Sequence, residues 1–141
     1  MANNGSVPIT IVGNLTDDPE LRFTPSGNAC AKFTVALNRK NFNTETKKWE
    51  DAGSDFHRVT AWRLLAENIV ESLKKGDRVI VQGMLKSSTF EDNEGNKRTY
   101  WEVTADAVGP DLMFAQVTEV RKIEYRKQEK ETPARSTRAR K

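Results

Sequence analysis

The stretch Ala29-Cys30-Ala31-Lys32-Phe33-Thr34-Val35-Ala36-Leu37 decides the architecture. Ala29, Ala31, Phe33, Val35 and Leu37 alternate with Cys30, Lys32, Thr34 and Ala36. Successive side chains of a strand point to opposite faces, so this period of two marks a half-buried β-strand. Phe56 to Trp62 repeats the pattern, with Phe56, Arg58, Thr60 and Trp62 on one face and His57, Val59 and Ala61 on the other. Two such strands need a sheet to bury their apolar sides, and the rest of the chain can be placed around them.

Upstream, Val7 to Val12 reads as a strand ended by the turn residues Asn14 to Pro19, and Pro25 to Asn28 forms a second turn. Residues 38–55 are polar and without period, which predicts a long loop or a splayed hairpin. Downstream, Leu65, Ala66, Ile69, Val70 and Leu73 recur at helical spacing, and Lys74-Lys75-Gly76 supplies cationic residues and a glycine stop. Val79 to Leu85 is rich in β-branched residues, Asp92 to Asn96 marks a hairpin turn, and Tyr100 to Val108 is the returning strand. An extra short strand is expected over residues 117–126. From residue 127 onward the chain is polar and charged, and a disordered tail is expected. Five or six strands with one short helix after the third predict an all-β protein, a five-stranded Greek-key barrel of the OB type. The expected organisation is an OB domain over 1–115, the extra strand within 116–126 and a basic tail over 127–141.

Composition narrows the function classes. The 141 residues provide one domain, and no apolar run is long enough for a transmembrane helix. The N-terminus has neither the basic flank nor the apolar core of a signal peptide, so a cytoplasmic protein is expected. The lone Cys30 excludes an intrachain disulfide framework and suits a reducing compartment. A disulfide between subunits through Cys30 is the less favoured outcome. The net charge of +3 hides an asymmetry. Residues 121–141 hold nine Lys/Arg and three Glu, whereas residues 1–120 are net acidic. The basic balance therefore belongs to the tail and by itself says nothing about the folded domain.

Catalysis finds little support. One histidine and one cysteine cannot assemble the usual zinc sets of Cys and His within one chain, and no phosphate-cradling glycine loop of Walker or Rossmann spacing occurs. Asp17 and Asp18 sit beside Pro19, where turn conformation explains them. No catalytic residue, metal ligand or cofactor is assigned. His57 shares its face with Val59 and Ala61 and reads as a packing or interface residue. The aromatics carry more information. Phe42 and Trp49 lie in a polar segment, Phe56 and Trp62 share a face with Arg58, and Phe90 follows Lys86, Ser87, Ser88 and Thr89. Aromatics interleaved with cations suit unpaired nucleic acid, because every base has a π-face and every nucleotide a phosphate. Filling a barrel interior is the competing reading. For Phe33 and Trp101 it is preferred; for Phe42, Phe56, Trp62 and Phe90 composition divides the two evenly.

Three blocks make the pattern specific: Ile9 to Asn28 (ITIVGNLTDDPELRFTPSGN), Phe56-His57-Arg58-Val59, and Lys75 to Gly83 (KGDRVIVQG). In order and spacing, across residues 7–115, they resemble bacterial single-stranded DNA-binding proteins. The resemblance implies an OB barrel, a homotetramer and sequence-tolerant binding of single-stranded DNA in replication, recombination or repair. It maps stacking aromatics onto Phe42, Phe56, Trp62 and Phe90, and phosphate-binding cations onto Arg58, Lys75 and Lys86. Arg39, Lys40 and Arg98 join by location, and His57 maps to a subunit interface. The 108–126 segment resembles the type from high-GC Gram-positive bacteria, in which an extra strand clasps a neighbour. The final residues, Ser136 to Lys141, depart from the acidic Pro-Phe tip usual in the family. A paralogue is therefore expected, without tip-dependent recruitment of replication and repair enzymes. The nearest alternative on the same fold is a primosomal or RNA-binding accessory module; a barrel that binds protein or oligosaccharide is a more distant one.

Overall fold

The computed structural model describes residues 6–124. Along them run β1 (Val7–Leu15), β2 (Glu20–Phe23), β3 (Ala29–Asn43), β4 (Lys48–Trp62), α1 (Arg63–Ser72), β5 (Arg78–Glu91) and β6 (Lys97–Pro110). The sheet order is β1-β5-β6-β4-β3-β2, and a further β1–β3 pairing closes five of the strands into a ring. β1 is paired to β5 from Val7 to Asn14, then reaches β3 through Asn14↔Ala36 and Leu15↔Val35. The short β2 takes the next stretch of the same β3 edge, from Glu20↔Lys32 to Phe23↔Ala29. All pairs are antiparallel except β4–β6, which runs parallel through Arg58↔Glu102, Val59↔Val103 and Thr60↔Thr104. This closed ring, with one helix between its third and fourth members, is the OB barrel.

The interior follows from alternation. Val35, Val59, Val79, Val81 and Val103 are fully buried, and all are β-branched residues that fit a pleated, enclosed surface. α1 caps one end of the ring with Ala66 and Ile69, joined by Leu73, against a cluster that includes Leu15, Ala31, Phe33 and Ala61. The helix stops at Ser72, and Leu73 turns extended. Gly76 does not end the helix, as its sequence position suggested; with φ 92° it occupies the third position of the Lys74–Asp77 turn. Residues 38–55 resolve as a paired hairpin: β3 and β4 stay in register to Asn43↔Lys48, with one bulge between Asn38 and Lys40. Its polar composition reflects a hairpin arm that projects beyond the barrel, where neither face is buried. The β5–β6 arm does the same.

Ring closure demands close backbone approach at two places. At Gly13, a Cβ would collide with the Ala36 carbonyl oxygen and stand 2.8 Å from Val35 Cγ1. At Gly83, beside the β5–β6 register shift, it would collide with the Thr104 carbonyl oxygen and lie 2.9 Å from Ala105 Cα. Both glycines sit where a barrel must bend, and neither obstacle can rotate away.

The compact barrel unit ends at Asp111, and the segment from Leu112 forms a separate unit. Within the single chain, residues 112–124 contain no strand. The last two residues of the expected 117–126 strand, and the 127–141 tail, lie outside the described residues. Gly83→Ala should lower unfolding free energy by about 1–3 kcal/mol, the range for an overpacked site, as read by urea denaturation. Wild-type stability in that variant would contradict the close approach.

Candidate nucleic-acid interface

Because Val59 and Ala61 must point inward, Phe56, Arg58, Thr60 and Trp62 point outward. The pairing register extends that outward face across four strands. β3 contributes Lys32 and Thr34 opposite Thr60 and Arg58, and Ala36 opposite Phe56. β6 contributes Glu102 beside Arg58. β5 adds Lys86 opposite Glu102, Ser88 opposite Tyr100, and Phe90 opposite Arg98. Phe56 is 64% exposed and Trp62 42%, values incompatible with a core role, and Phe42 and Phe90 are similarly exposed. The four predicted aromatics therefore stand on the surface. Their exposure argues against the barrel-filling reading for all four.

Four of the rings on the two arms meet in pairs. Phe90 and Tyr100 meet edge to face with centroids 5.8 Å apart, and the Arg58 guanidinium lies 5.6 Å from the Tyr100 centroid. On the other arm, Phe42 and Trp49 pack edge to face at 5.3 Å. Offset and edge-on pairs are the favoured arrangements of aromatic quadrupoles, and a cation above a ring adds to the attraction. Trp49 and Tyr100 are the two residues that sequence reasoning did not place in the site. Trp49 needed the β3–β4 turn to be located, since only the register Phe42↔Trp49 brings it to its partner. Tyr100 follows from parity: it lies two residues before Glu102, on the outward side.

The cations differ in how they are held. Lys40 Nζ lies 2.7 Å from Asp51 Oδ1, and this hydrogen bond holds the Asp51 carboxyl below its ordinary range. Arg39 pairs with Asp55 at 3.1 Å and, being adjacent to Lys40, projects from the opposite side of the hairpin. Arg98 pairs with Asp92 at 2.9 Å, and this bond with the turn amides keeps the Asp92 carboxyl low. All three pairs are solvent-exposed and therefore weak enough for a phosphate to replace the carboxylate. Lys86 stands on the aromatic face itself. Lys75 is at the second position of the Lys74–Asp77 turn, and its amide donates to Asp18 Oδ1 at 2.8 Å. It is thus tied to the loop that borders the face rather than to a strand.

An open cleft of about 700 Å³ lies on this face, lined among others by Thr16, Asp18, Lys32, Arg58, Tyr100 and Glu102. Thr60, expected on a part-polar exposed face, is instead covered: it is 4% exposed and donates to Glu102 Oε2 at 2.8 Å.

Two further expectations meet the structure. Trp101 is not a core residue; it is 57% exposed. It has the inward parity of Val103, but at that height β6 has left the barrel and runs in the arm opposite Ser87. Phe33 is buried, as expected. His57 is half-buried opposite Val35, on the side away from Phe56 and Trp62. Cys30 is 5% exposed, and burial pushes its thiol upward, so it offers little to a neighbouring subunit.

Residues 7–111 match the family described as single-strand binding protein family. A single-stranded DNA-binding protein of Paenarthrobacter aurescens is 51% identical over 111 residues, covering 79% of this chain and 65% of the relative. Those of Corynebacterium glutamicum and Mycobacterium tuberculosis are each 54% identical over 111 residues, covering 49% and 68% of the relative. The match thus spans about half to two thirds of the length of these relatives. The crystal structure of a small single-stranded DNA-binding protein from Streptomyces coelicolor superposes with a TM-score of 0.66 at 34% identity. It covers 76% of this chain and 95% of that one. With the closed five-stranded ring and the aromatic outer face, these matches establish that the chain belongs to the single-strand binding protein family, a family of binding proteins and not of enzymes.

Proposed function

We propose that the chain binds single-stranded DNA, without strong sequence preference, across the outward face of β3, β4, β5 and β6. The observation that carries this reading is the alignment of Phe56, Trp62, Phe90 and Tyr100 on one exposed face, with Arg58 and Lys86 between them. Bases stack on the rings whatever their identity, while the cations neutralise phosphates. Phe42 and Trp49 extend the track along the β3–β4 arm, with Lys40 beside them; Arg98 serves the β5–β6 arm. Arg39 and Lys75 are peripheral contacts to a strand that leaves the face. Protection of unpaired DNA during replication, recombination or repair, in the cytoplasm, is the corresponding cellular role. Among the described residues no helix is long and apolar enough to cross a membrane.

The proposed assembly is a homotetramer. β5 covers one edge of β1, whereas among the described residues the other edge is paired only at Asn14 and Leu15, leaving Val7 to Val12 without a strand partner there. An open strand edge is a template for pairing with another copy, and closed symmetric assemblies dominate among oligomers. His57 is proposed to lie at such an interface. Val117, Val120 and Ile123 are exposed and apolar in a segment without strand structure, which supports a clasp around a neighbour within 116–126. The net positive charge of residues 121–141 favours attraction to phosphates.

Trp62→Ala should weaken binding to oligo(dT) by about 1–3 kcal/mol, the usual worth of one base–aromatic stack, in a fluorescence-anisotropy titration. Trp62 precedes α1 in extended conformation and makes no side-chain cap bond. The variant should therefore lose less than the roughly 3–5 kcal/mol of a buried Trp→Ala change. Unaltered affinity together with a large loss of stability would show that the ring serves packing. Multi-angle light scattering should give the mass of four chains at micromolar concentration; a monomer there would contradict the assembly.

A further inference from the structure

The outward face does not stop at β3. β2 pairs along the free edge of β3 from Glu20↔Lys32 to Phe23↔Ala29, so each row of the face gains one more residue. Leu21 lies opposite the wholly buried Ala31 and packs against the core, which turns Glu20 and Arg22 outward. The row that contains Trp62 therefore continues through Cys30 on β3 to Arg22 on β2. Towards β6 the same row has no strand partner among the described residues, because the β4–β6 pairing ends at Thr60↔Thr104. Cys30 has outward parity yet is only 5% exposed, and the side chains that flank it in the row are those of Trp62 and Arg22. Burial raises its thiol, and the positive charges of Lys32 and Arg22 act against that rise, as cations on the same side of the sheet do.

The adjoining row is acidic. Glu20 lines the cleft together with Asp17, Asp18 and Glu102, against the two cations Lys32 and Arg58. A sugar–phosphate chain that leaves a base stacked on Trp62 meets net negative charge in that row and a guanidinium in its own. Among the described residues the one ion pair of Arg22 is with Glu20, Nη2 to Oε1 at 3.1 Å, and both side chains are more than 60% exposed. Such a surface pair is weak, whereas a phosphate offers the guanidinium two oxygens at once. Neighbouring strands lie about 4.8 Å apart, so β2 is about 10 Å from β4, a gap that one arginine side chain and one nucleotide bridge together. Resting on the DNA-binding reading, we propose that β2 belongs to the DNA-binding face and that Arg22 binds the phosphate adjoining the base stacked on Trp62. Cys30 is the floor between ring and guanidinium. Glu20 holds Arg22 in the free protein and yields it to the phosphate. The contact reads no base, in keeping with binding that tolerates any sequence.

Titrations of oligo(dT) at several salt concentrations test this. Arg22→Gln should weaken binding about five- to tenfold at low salt, the scale of one charge-assisted contact. The slope of log affinity against log salt should become shallower by about 0.7, the share of one phosphate on a single strand. In a Trp62→Ala background the same substitution should cost no more than about twofold, because two contacts to one nucleotide are coupled. A loss by the same factor in both backgrounds would make Arg22 a distant charge and overturn the proposal. So would unchanged affinity and slope in Arg22→Gln. A measurement that needs no variant is arginine modification by phenylglyoxal, mapped by peptide mass spectrometry. Saturating oligo(dT) should protect Arg22; full reactivity of Arg22 in the complex would overturn the proposal while leaving binding by the rest of the face intact. Failure of the wild-type protein to bind oligo(dT) at all would end the DNA-binding reading, and this contact with it.

Discussion

The period-two alternation of β4 is the constraint on which both barrel and site depend. Val59 and Ala61 are wholly enclosed, and Val59 faces Phe33 and Val103 in neighbouring strands. A strand cannot bury these residues without presenting Phe56, Arg58 and Trp62 to the opposite side. A slip of one residue would expose every buried side chain and bury a guanidinium, so register is fixed by the core. The functional face is therefore a consequence of the hydrophobic pattern, and its residue types are what the chain has chosen for the outward positions.

Closure and projection divide the same strands into two parts. In the lower half of the barrel, Gly13 and Gly83 let backbones approach closely enough for the ring to close. Beyond the ring, the β3–β4 and β5–β6 hairpins continue as two-stranded arms with neither face buried. Such arms are held by cross-strand pairs rather than by a core. Phe42 with Trp49 and Lys40 with Asp51 serve one arm, Phe90 with Tyr100 and Thr89 with Thr99 the other. The aromatic pairs thus stiffen the arms and at the same time leave ring surface open to solvent. Preformed rings reduce the ordering cost of binding.

Much of this was legible in the sequence, and the gaps have physical reasons. β3 and the inner half of β4 could be read because one face is buried and alternation is strict. The arms were less distinct, since a strand exposed on both faces has no hydrophobic period; residues 38–55 read as either a long loop or a splayed hairpin, and they pair almost throughout. Trp101 shows the complementary limit: its parity is inward, but parity cannot reveal where along β6 the barrel ends. Tyr100 was missed because its importance comes from its place beside Arg58 across the β4–β6 pairing, a contact between residues more than forty positions apart. The proposed stacking set, Phe42, Phe56, Trp62 and Phe90, could be named only through resemblance. Its exposure became clear once the register was known.

The central claim is that one face of this sheet, the outward parity of β4 and its neighbours, receives the DNA. Photo-cross-linking with an oligonucleotide carrying 5-iododeoxyuridine, followed by peptide mass spectrometry, tests it most directly, because adducts form preferentially with aromatic side chains in contact with the base. The account predicts adducts at Phe56, Trp62, Phe90 and Tyr100, with Phe42 or Trp49 on the β3–β4 arm, and none at the equally exposed Trp101. Adducts concentrated at Trp101, with the outward residues of β4 unmodified, would contradict it.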